Sequence, residues 1–454
     1  MLFQSLNPAT GRRIQAWRAQ RPGDVERLLA RATVAQRAWR AWPIARRAAA
    51  LRRLGRALLA ARDELAPLAT AEMGKPIAQA RAEIEKSALL CSYYARHGAA
   101  LLADERPVGA PPQARVTFEP LGTVLAIMPW NFPFWQALRA AVPALIGGNA
   151  VLLKPAATVV GCSQALEKIF DRAGLPRGVF QLLLADNAAI ARVIADRRVH
   201  AVTLTGSTAA GKNVAALAGA AMKPGVFELG GSDPALVLAD ADIPRAAEIC
   251  AQSRLLNSGQ SCVCAKRFIV ARPVLADFER QLVARMAARR AGDPADPATE
   301  VGPLARADLR ATLQEQVERS VRLGARVLLG GAPTPGRGFF YPPTVLTGVR
   351  PGMPAFDEEL FGPVAAIVAV RDESEAVKLA NATPYGLAAT VFTRSRSRAQ
   401  RLARELESGA IFINDFVRSA PELPFGGVKE SGHGRELGPW GARAFVNVKT
   451  VWEA

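Results

Sequence analysis

The chain has 454 residues, half of them hydrophobic, and a formal net charge of +18. That length excludes a small scaffold stapled by disulfides or metal and supports two or three domains around a large core. The basic balance raises nucleic acid or an anionic membrane as partners. However, the arginines are dispersed among Ala and Leu, as over 18–62, with no block of like charge and no interleaved aromatics. A generally basic surface accounts for them, and no nucleic-acid partner is expected.

The segment 1–11 shows no basic region followed by an apolar one, so no secretory leader is read there. Apolar positions then recur at three and four, which predicts long amphipathic helices through the first hundred residues, over 25–42 and 45–68. A Pro/Gly break at 107–113 precedes two strands, 115–119 and 124–128. From there the period changes. Short β-like runs at 150–153, 179–184, 200–204 and 225–229 alternate with helical runs at 161–173, 188–195 and 209–220. This alternation predicts a parallel, doubly wound α/β sheet, which binds nucleotides at the carboxyl ends of its strands. After Gly231 a second α/β unit begins, with strands at 235–238 and 267–270 around a helix at 244–256. The end, 443–452, alternates like an edge strand.

The most apolar stretch, 137–153, is broken by Arg139, Pro143 and Gly147-Gly148-Asn149, so no membrane span is expected. An odd count of five cysteines suits a reducing cytosol, and a cytoplasmic protein is expected. His97, His200 and His433 have no metal-ligand spacing, so no metal is expected.

Three segments carry chemistry. Cys262 ends Asn257-Ser258-Gly259-Gln260-Ser261-Cys262, a polar loop that is poor company for a buried thiol. It reads either as a small packing residue or as a nucleophile, and the thiolate form of a nucleophile needs polar surroundings and access. With so few histidines, a carboxylate or water must serve as its base. Glu228, at a strand end before Gly230-Gly231, is either a structural acceptor or a base that activates water. Asn131, in Met128-Pro129-Trp130-Asn131-Phe132-Pro133, is either a turn former or an oxyanion donor acting with the backbone N–H of Cys262. Thiol, carboxylate and amide together are the groups that oxidise an aldehyde through a thioester. A rival reading comes from Gly206-Ser207-Thr208-Ala209-Ala210-Gly211-Lys212, which satisfies the P-loop pattern of an ATPase. The next residue is Asn213, so the Mg²⁺-binding hydroxyl is missing. The same segment suits a helix N-terminus facing a pyrophosphate.

With these motifs the chain resembles the aldehyde dehydrogenase superfamily from end to end, and most closely the short bacterial succinate-semialdehyde dehydrogenases. Asn7-Pro8-Ala9-Thr10-Gly11, Glu72-Met73-Gly74-Lys75-Pro76, Lys154-Pro155-Ala156, Glu359-Leu360-Phe361-Gly362-Pro363 and Pro424-Phe425-Gly426-Gly427-Val428-Lys429 add to the likeness, in that order. The resemblance implies three parts: a Rossmann-like cofactor domain (1–103 and 120–230), a catalytic α/β domain (231–425) and an oligomerisation flap (104–119 and 437–454). It implies a homodimer or a dimer of dimers. It also implies that Cys262 attacks the aldehyde, that Asn131 and the Cys262 N–H hold the oxyanion, and that Glu228 activates water against the thioester. By the same likeness Lys154 contacts the adenine-side ribose, Ser207 beside Gly206 the pyrophosphate and Glu359 the nicotinamide ribose, while Trp130 and Phe361 line the nicotinamide region.

Four positions bear on specificity. Ala157 stands where strongly NAD-selective relatives carry Glu, so the resemblance leaves the cofactor as NAD or NADP. Arg139 matches an arginine that binds the substrate carboxylate in succinate-semialdehyde enzymes, and a guanidinium suits that task. Ser419 matches a carboxylate-binding serine. Leu256 replaces a second arginine of some relatives, with Arg254 two residues earlier. Cys264 forms a C-x-C pair with Cys262 that in relatives closes as a reversible disulfide; the alternative is a small packing residue. The expected substrate is succinate semialdehyde, with glutarate semialdehyde or aromatic aldehydes as the alternatives.

Overall fold

The computed structural model describes residues 2–453. The chain opens with an antiparallel hairpin, β1 (Leu2–Leu6) against β2 (Arg13–Arg18), ahead of the first helix. This pair is absent from the periodicity reading for a physical reason. Only Phe3 and Ser5 of β1 are buried, and no residue of β2 is, so the hairpin has almost no apolar pattern. Helices Pro22–Arg40, Ile44–Ala60, Arg62–Met73 and Ile77–Leu101 follow. The single helix expected over 45–68 is thus two, parted at Ala61, whose ψ of 7° leaves the helical range.

Two large sheets organise the rest. The first has the order β16-β8-β7-β4-β5-β6, built from β4 (Thr123–Met128), β5 (Ala150–Pro155), β6 (Phe180–Leu182), β7 (Val199–Thr205), β8 (Gly225–Glu228) and β16 (Gly432–His433). All neighbours are parallel except β16, which returns antiparallel to β8 at the edge. Strand β4 is buried along nearly its whole length, as an apolar strand covered by helices on both faces should be. From β4 the chain winds outward through β5 to β6, then crosses back to β7 and β8. The winding reverses between β4 and β7, and a crevice opens there at the carboxyl ends of the strands. The helix that follows β4, Trp135–Ile146, is buried at every residue.

The second sheet has the order β11-β12-β13-β10-β9-β14-β15. It comprises β9 (Pro234–Val237), β10 (Arg267–Ala271), β11 (Arg326–Leu329), β12 (Thr344–Thr347), β13 (Val364–Val370), β14 (Ala388–Phe392) and β15 (Ala410–Ile413). The chain passes from one sheet to the other within the few residues between β8 and β9. The first sheet also takes in β16, a return strand outside the ranges expected for the cofactor unit. Finally, β3 (Ala114–Pro120) pairs antiparallel with β17 (Val446–Trp452) in a two-stranded ribbon that leaves Val448 and Trp452 exposed.

The edge strand β16 depends on one glycine. Gly432 has φ +114°, and a Cβ there would lie 1.9 Å from the carbonyl oxygen of Phe227. Gly432→Ala is expected to destabilise the protein by about 1–3 kcal/mol through backbone strain alone. A lowered thermal midpoint with a frayed β8–β16 edge in hydrogen exchange is the expected result.

Candidate active site

Cys262 sits where the two sheets meet. The helix Ile243–Leu255 ends in a turn, Leu256–Gly259, with three successive residues of positive φ: Asn257 (53°), Ser258 (56°) and Gly259 (75°). Left-handed backbone costs free energy for residues other than Gly, so the surroundings must hold this turn. Asn257 donates its amide to Asn131 O (2.8 Å) and Gln260 O (3.1 Å), and its N–H donates to Gln79 Oε1 (2.7 Å). Ser258 Oγ accepts from Gly302 N, and Gln260 Oε1 from Ala305 N. At Gly259 a Cβ would come within 2.3 Å of the Gly362 backbone, so the position needs glycine twice over.

Two buried cations close the loop. Lys266 Nζ donates to Ser261 O (3.1 Å), Cys262 O (2.8 Å) and Cys264 O (3.4 Å) and pairs with Glu359 at 3.3 Å. Arg254 donates to Ala265 O and Gly259 O. Arg254 therefore braces the loop from within the protein rather than facing a ligand. Neither role was visible in sequence; for Lys266 the only signal was a lysine soon after the candidate nucleophile.

The three candidate catalytic groups come together. Asn131 donates Nδ2 to Gln260 O at 3.0 Å, which fixes the amide two residues from Cys262 and leaves its second N–H for a ligand. Glu228 ends β8, and the glycines after it run against the nucleophile loop. A Cβ on Gly231 would lie 3.0 Å from Cys262 O. Both Glu228 oxygens are buried and lack hydrogen-bond partners among the described residues. Burial, together with the nearby Glu436 charge, holds the Glu228 carboxyl well above the usual carboxylate range, against the opposing pull of Arg139 and Arg435. Burial likewise pushes the Cys262 thiol up to about 12, only partly offset by Arg139 and Lys266. In this arrangement the Cys262 thiol carries its proton at neutral pH.

A cavity of about 280 Å³ reaches Cys262, lined also by Lys86, Trp135, Arg139, Phe425 and Ser419. Arg139 is part of it, but its guanidinium is committed: Nε lies 2.5 Å from Glu436 Oε2, and it donates to Thr205 Oγ1 at 3.3 Å. Ser419 Oγ accepts from Lys86 Nζ at 2.9 Å. Cys264 is buried and donates to Leu256 O, and all five cysteines are free.

The residues expected around a nucleotide sit at the crevice. Trp130 follows β4 and packs edge-on against Phe361 with centroids 5.7 Å apart. Lys154 ends β5, where burial depresses its ammonium, and Ala157 lies in the turn beyond. Gly206 and Ser207 follow β7, and Ser207 Oγ caps the helix Thr208–Ala220 by accepting from Ala210 N. Glu359 accepts from Gly231 N at 3.1 Å, and a Cβ on Gly230 would meet it at 2.6 Å. A half-buried cation, an open helix N-terminus and a glycine-cleared floor suit a dinucleotide at a switch point. Lys212, the P-loop lysine of the rival reading, instead pairs with Glu430 at 2.7 Å. Among the described residues no group of three or more His, Cys, Asp or Glu side chains could hold a metal, and no helix is long and apolar enough to cross a membrane.

Comparison with known proteins agrees with this geometry. The aldehyde dehydrogenase family profile matches residues 1–451. The chain is 48% identical over 449 residues to the succinate semialdehyde dehydrogenase [NAD(P)+] Sad of Escherichia coli (strain K12), covering 99% of this chain and 97% of that one. It is 44% identical to a probable succinate-semialdehyde dehydrogenase [NADP(+)] of Synechocystis sp., over the full length of both. Its fold matches the crystal structure of succinic semialdehyde dehydrogenase from Streptococcus pyogenes in complex with NADP+, with TM-score 0.97, 34% identity and 99% of each chain covered.

The protonated thiol has a direct consequence. Below its pKa, the thiolate fraction grows about tenfold per pH unit. Alkylation of Cys262 by iodoacetamide in the cofactor-free protein should therefore keep rising steeply from pH 7 to pH 10. A plateau below pH 9 would show an ordinary or activated thiol instead.

Proposed function

Because the chain belongs to the aldehyde dehydrogenase family, we propose that it oxidises succinate semialdehyde to succinate with NAD or NADP. The observation that carries this reading is the single cavity that joins Cys262 to a set of cationic side chains, supported by the names of its full-length relatives.

In the proposed sequence Cys262 gives its proton to water and its sulfur adds to the aldehyde carbon. The developing oxyanion accepts from the free N–H of Asn131, whose other N–H is held by Gln260 O, and from the Cys262 backbone N–H, whose peptide is held by Lys266 at Ser261 O. Nicotinamide, when bound, supplies the hydride acceptor that turns the adduct into a thioester. Glu228 then takes a proton from water, the water oxygen adds to the acyl carbon, and collapse releases the acid and the Cys262 thiol. Glu228 must ionise before it can do this. Its raised pKa gives the sign: the hydrolysis step gains rate as pH rises past the ordinary carboxylate range. Lys154, Ser207 and Glu359 would hold the cofactor's ribose and pyrophosphate groups, with Trp130 and Phe361 beside the nicotinamide. The exposed β3–β17 ribbon is the surface we assign to assembly as a homodimer or dimer of dimers, and a cytoplasmic enzyme is the corresponding setting.

The primary test is reduced-cofactor formation with succinate semialdehyde, butanal and benzaldehyde, each with NAD and with NADP. Preference for the semialdehyde, abolished by Cys262→Ala, is the expected result; better turnover of the neutral aldehydes would remove the substrate assignment. Glu228→Gln should leave a rapid burst of reduced cofactor but slow steady turnover by about 100-fold or more, as expected when a general base is lost. Absence of a burst would assign Glu228 to an earlier step. Ala157→Glu should turn the enzyme toward NAD, lowering kcat/KM for NADP about tenfold or more relative to NAD through repulsion of the 2′-phosphate. Unchanged discrimination would place Ala157 away from that phosphate.

A further inference from the structure

Three cations line the cavity that reaches Cys262, and they are not equivalent. Arg139 is buried against Glu436. Arg418 pairs with Asp415 at 2.8 Å. Lys86 has no carboxylate partner among the described residues. Its one polar contact is Ser419 Oγ at 2.9 Å, and its ammonium lies 4.2 Å from the centroid of the Trp135 ring. The carboxylate nearest on its own helix, Glu83, is already taken by Lys75 and by the N–H groups of Phe134 and Trp135. Every other charged group facing the cavity is thus neutralised within the protein.

We propose that Lys86, together with the Ser419 hydroxyl, is the anchor for the remote carboxylate of the substrate, and so determines specificity for semialdehydes over neutral aldehydes. This rests on the function proposed above. An ammonium has three N–H donors, of which Ser419 uses one. Since the Ser419 oxygen accepts from Lys86, its own proton remains free to donate. A carboxylate bridging the two would receive charge-assisted hydrogen bonds from one side and a hydroxyl bond from the other. Burial depresses the Lys86 ammonium to about 8, with Arg139 and Arg418 adding to the effect against the opposing pull of Glu83, so an arriving carboxylate relieves a cost already present in the free enzyme. A neutral aldehyde of the same length gives no such relief. Arg139, paired with Glu436, lines the same cavity beside this anchor.

The test compares wild type with Lys86→Met, Lys86→Gln and Lys86→Arg on succinate semialdehyde and on butanal. Loss of one charge-assisted hydrogen bond should lower kcat/KM for the semialdehyde roughly 10- to 100-fold. The loss should appear mainly in KM, with butanal kinetics unchanged and much of the loss recovered in Lys86→Arg. Equal losses on both substrates, or an unchanged KM for the semialdehyde, would overturn the assignment. Lys86→Gln decides the matter if Lys86→Met does not fold. If wild type fails to oxidise the semialdehyde, the proposed function falls, and the anchor is read separately from succinate inhibition of butanal oxidation. Inhibition weakened in Lys86→Gln supports the anchor, and inhibition of undiminished strength refutes it.

Discussion

The left-handed turn Asn257–Gly259 is the constraint on which the rest of the site depends. It reverses the chain at the end of the helix Ile243–Leu255 so that Cys262 faces the cavity instead of continuing into the core. Two of its residues are not glycine, so the backbone alone would not choose this path. The cost, of order 1–3 kcal/mol per residue, is offset by hydrogen bonds from side chains and backbone groups outside the turn. Gln79, Asn131, Gly302 and Lys266 each supply a hydrogen bond to it or to the residues just beyond. The candidate oxyanion donor and the candidate nucleophile are therefore one unit. Asn257 holds the carbonyl of Asn131, and Gln260 holds its amide.

The second organising feature is buried charge. Lys266 with Glu359, and Arg139 with Glu436, are taken out of water near the junction of the two sheets. Removing one partner of such a pair leaves an uncompensated charge, a loss of about 3–5 kcal/mol. That penalty fixes the arrangement, and it also sets protonation. Burial, with the Glu436 charge beside it, holds the Glu228 carboxyl well above the usual carboxylate range. Burial also keeps the Cys262 thiol protonated at neutral pH. A protonated thiol suits a nucleophile that must survive until substrate arrives. Activation then requires a change of surroundings, and the bound cofactor and substrate are what changes them.

Much of the fold was legible in the chain. Regular alternation of short apolar runs and helical runs signals parallel sheets because each strand is covered on both faces and each crossover needs a helix. What escaped was the opening hairpin, where β2 is largely exposed and has no apolar period, and β16, two residues long and held by Gly432 close to Phe227. The division of the helices at Ala61 was missed as well, since no glycine or proline marks it. Among site residues, Cys262, Glu228 and Asn131 stood out because each is a polar group at or just past an element's end with glycine or proline within three residues. Lys266 and Lys86 did not, because their surroundings in sequence are ordinary.

The sequence by itself determined the α/β class and the chemical groups available, because these follow from local periodicity and from residue type. It also carried the family membership, through motifs spread from Asn7 to Lys429. Only the tertiary structure decided how charge is distributed. Which cation is neutralised and which waits for a ligand depends on partners far apart in the chain, Arg139 with Glu436 and Lys86 with Ser419. Electrostatic energy depends on distance and burial in three dimensions, and neither can be read from neighbours along the chain.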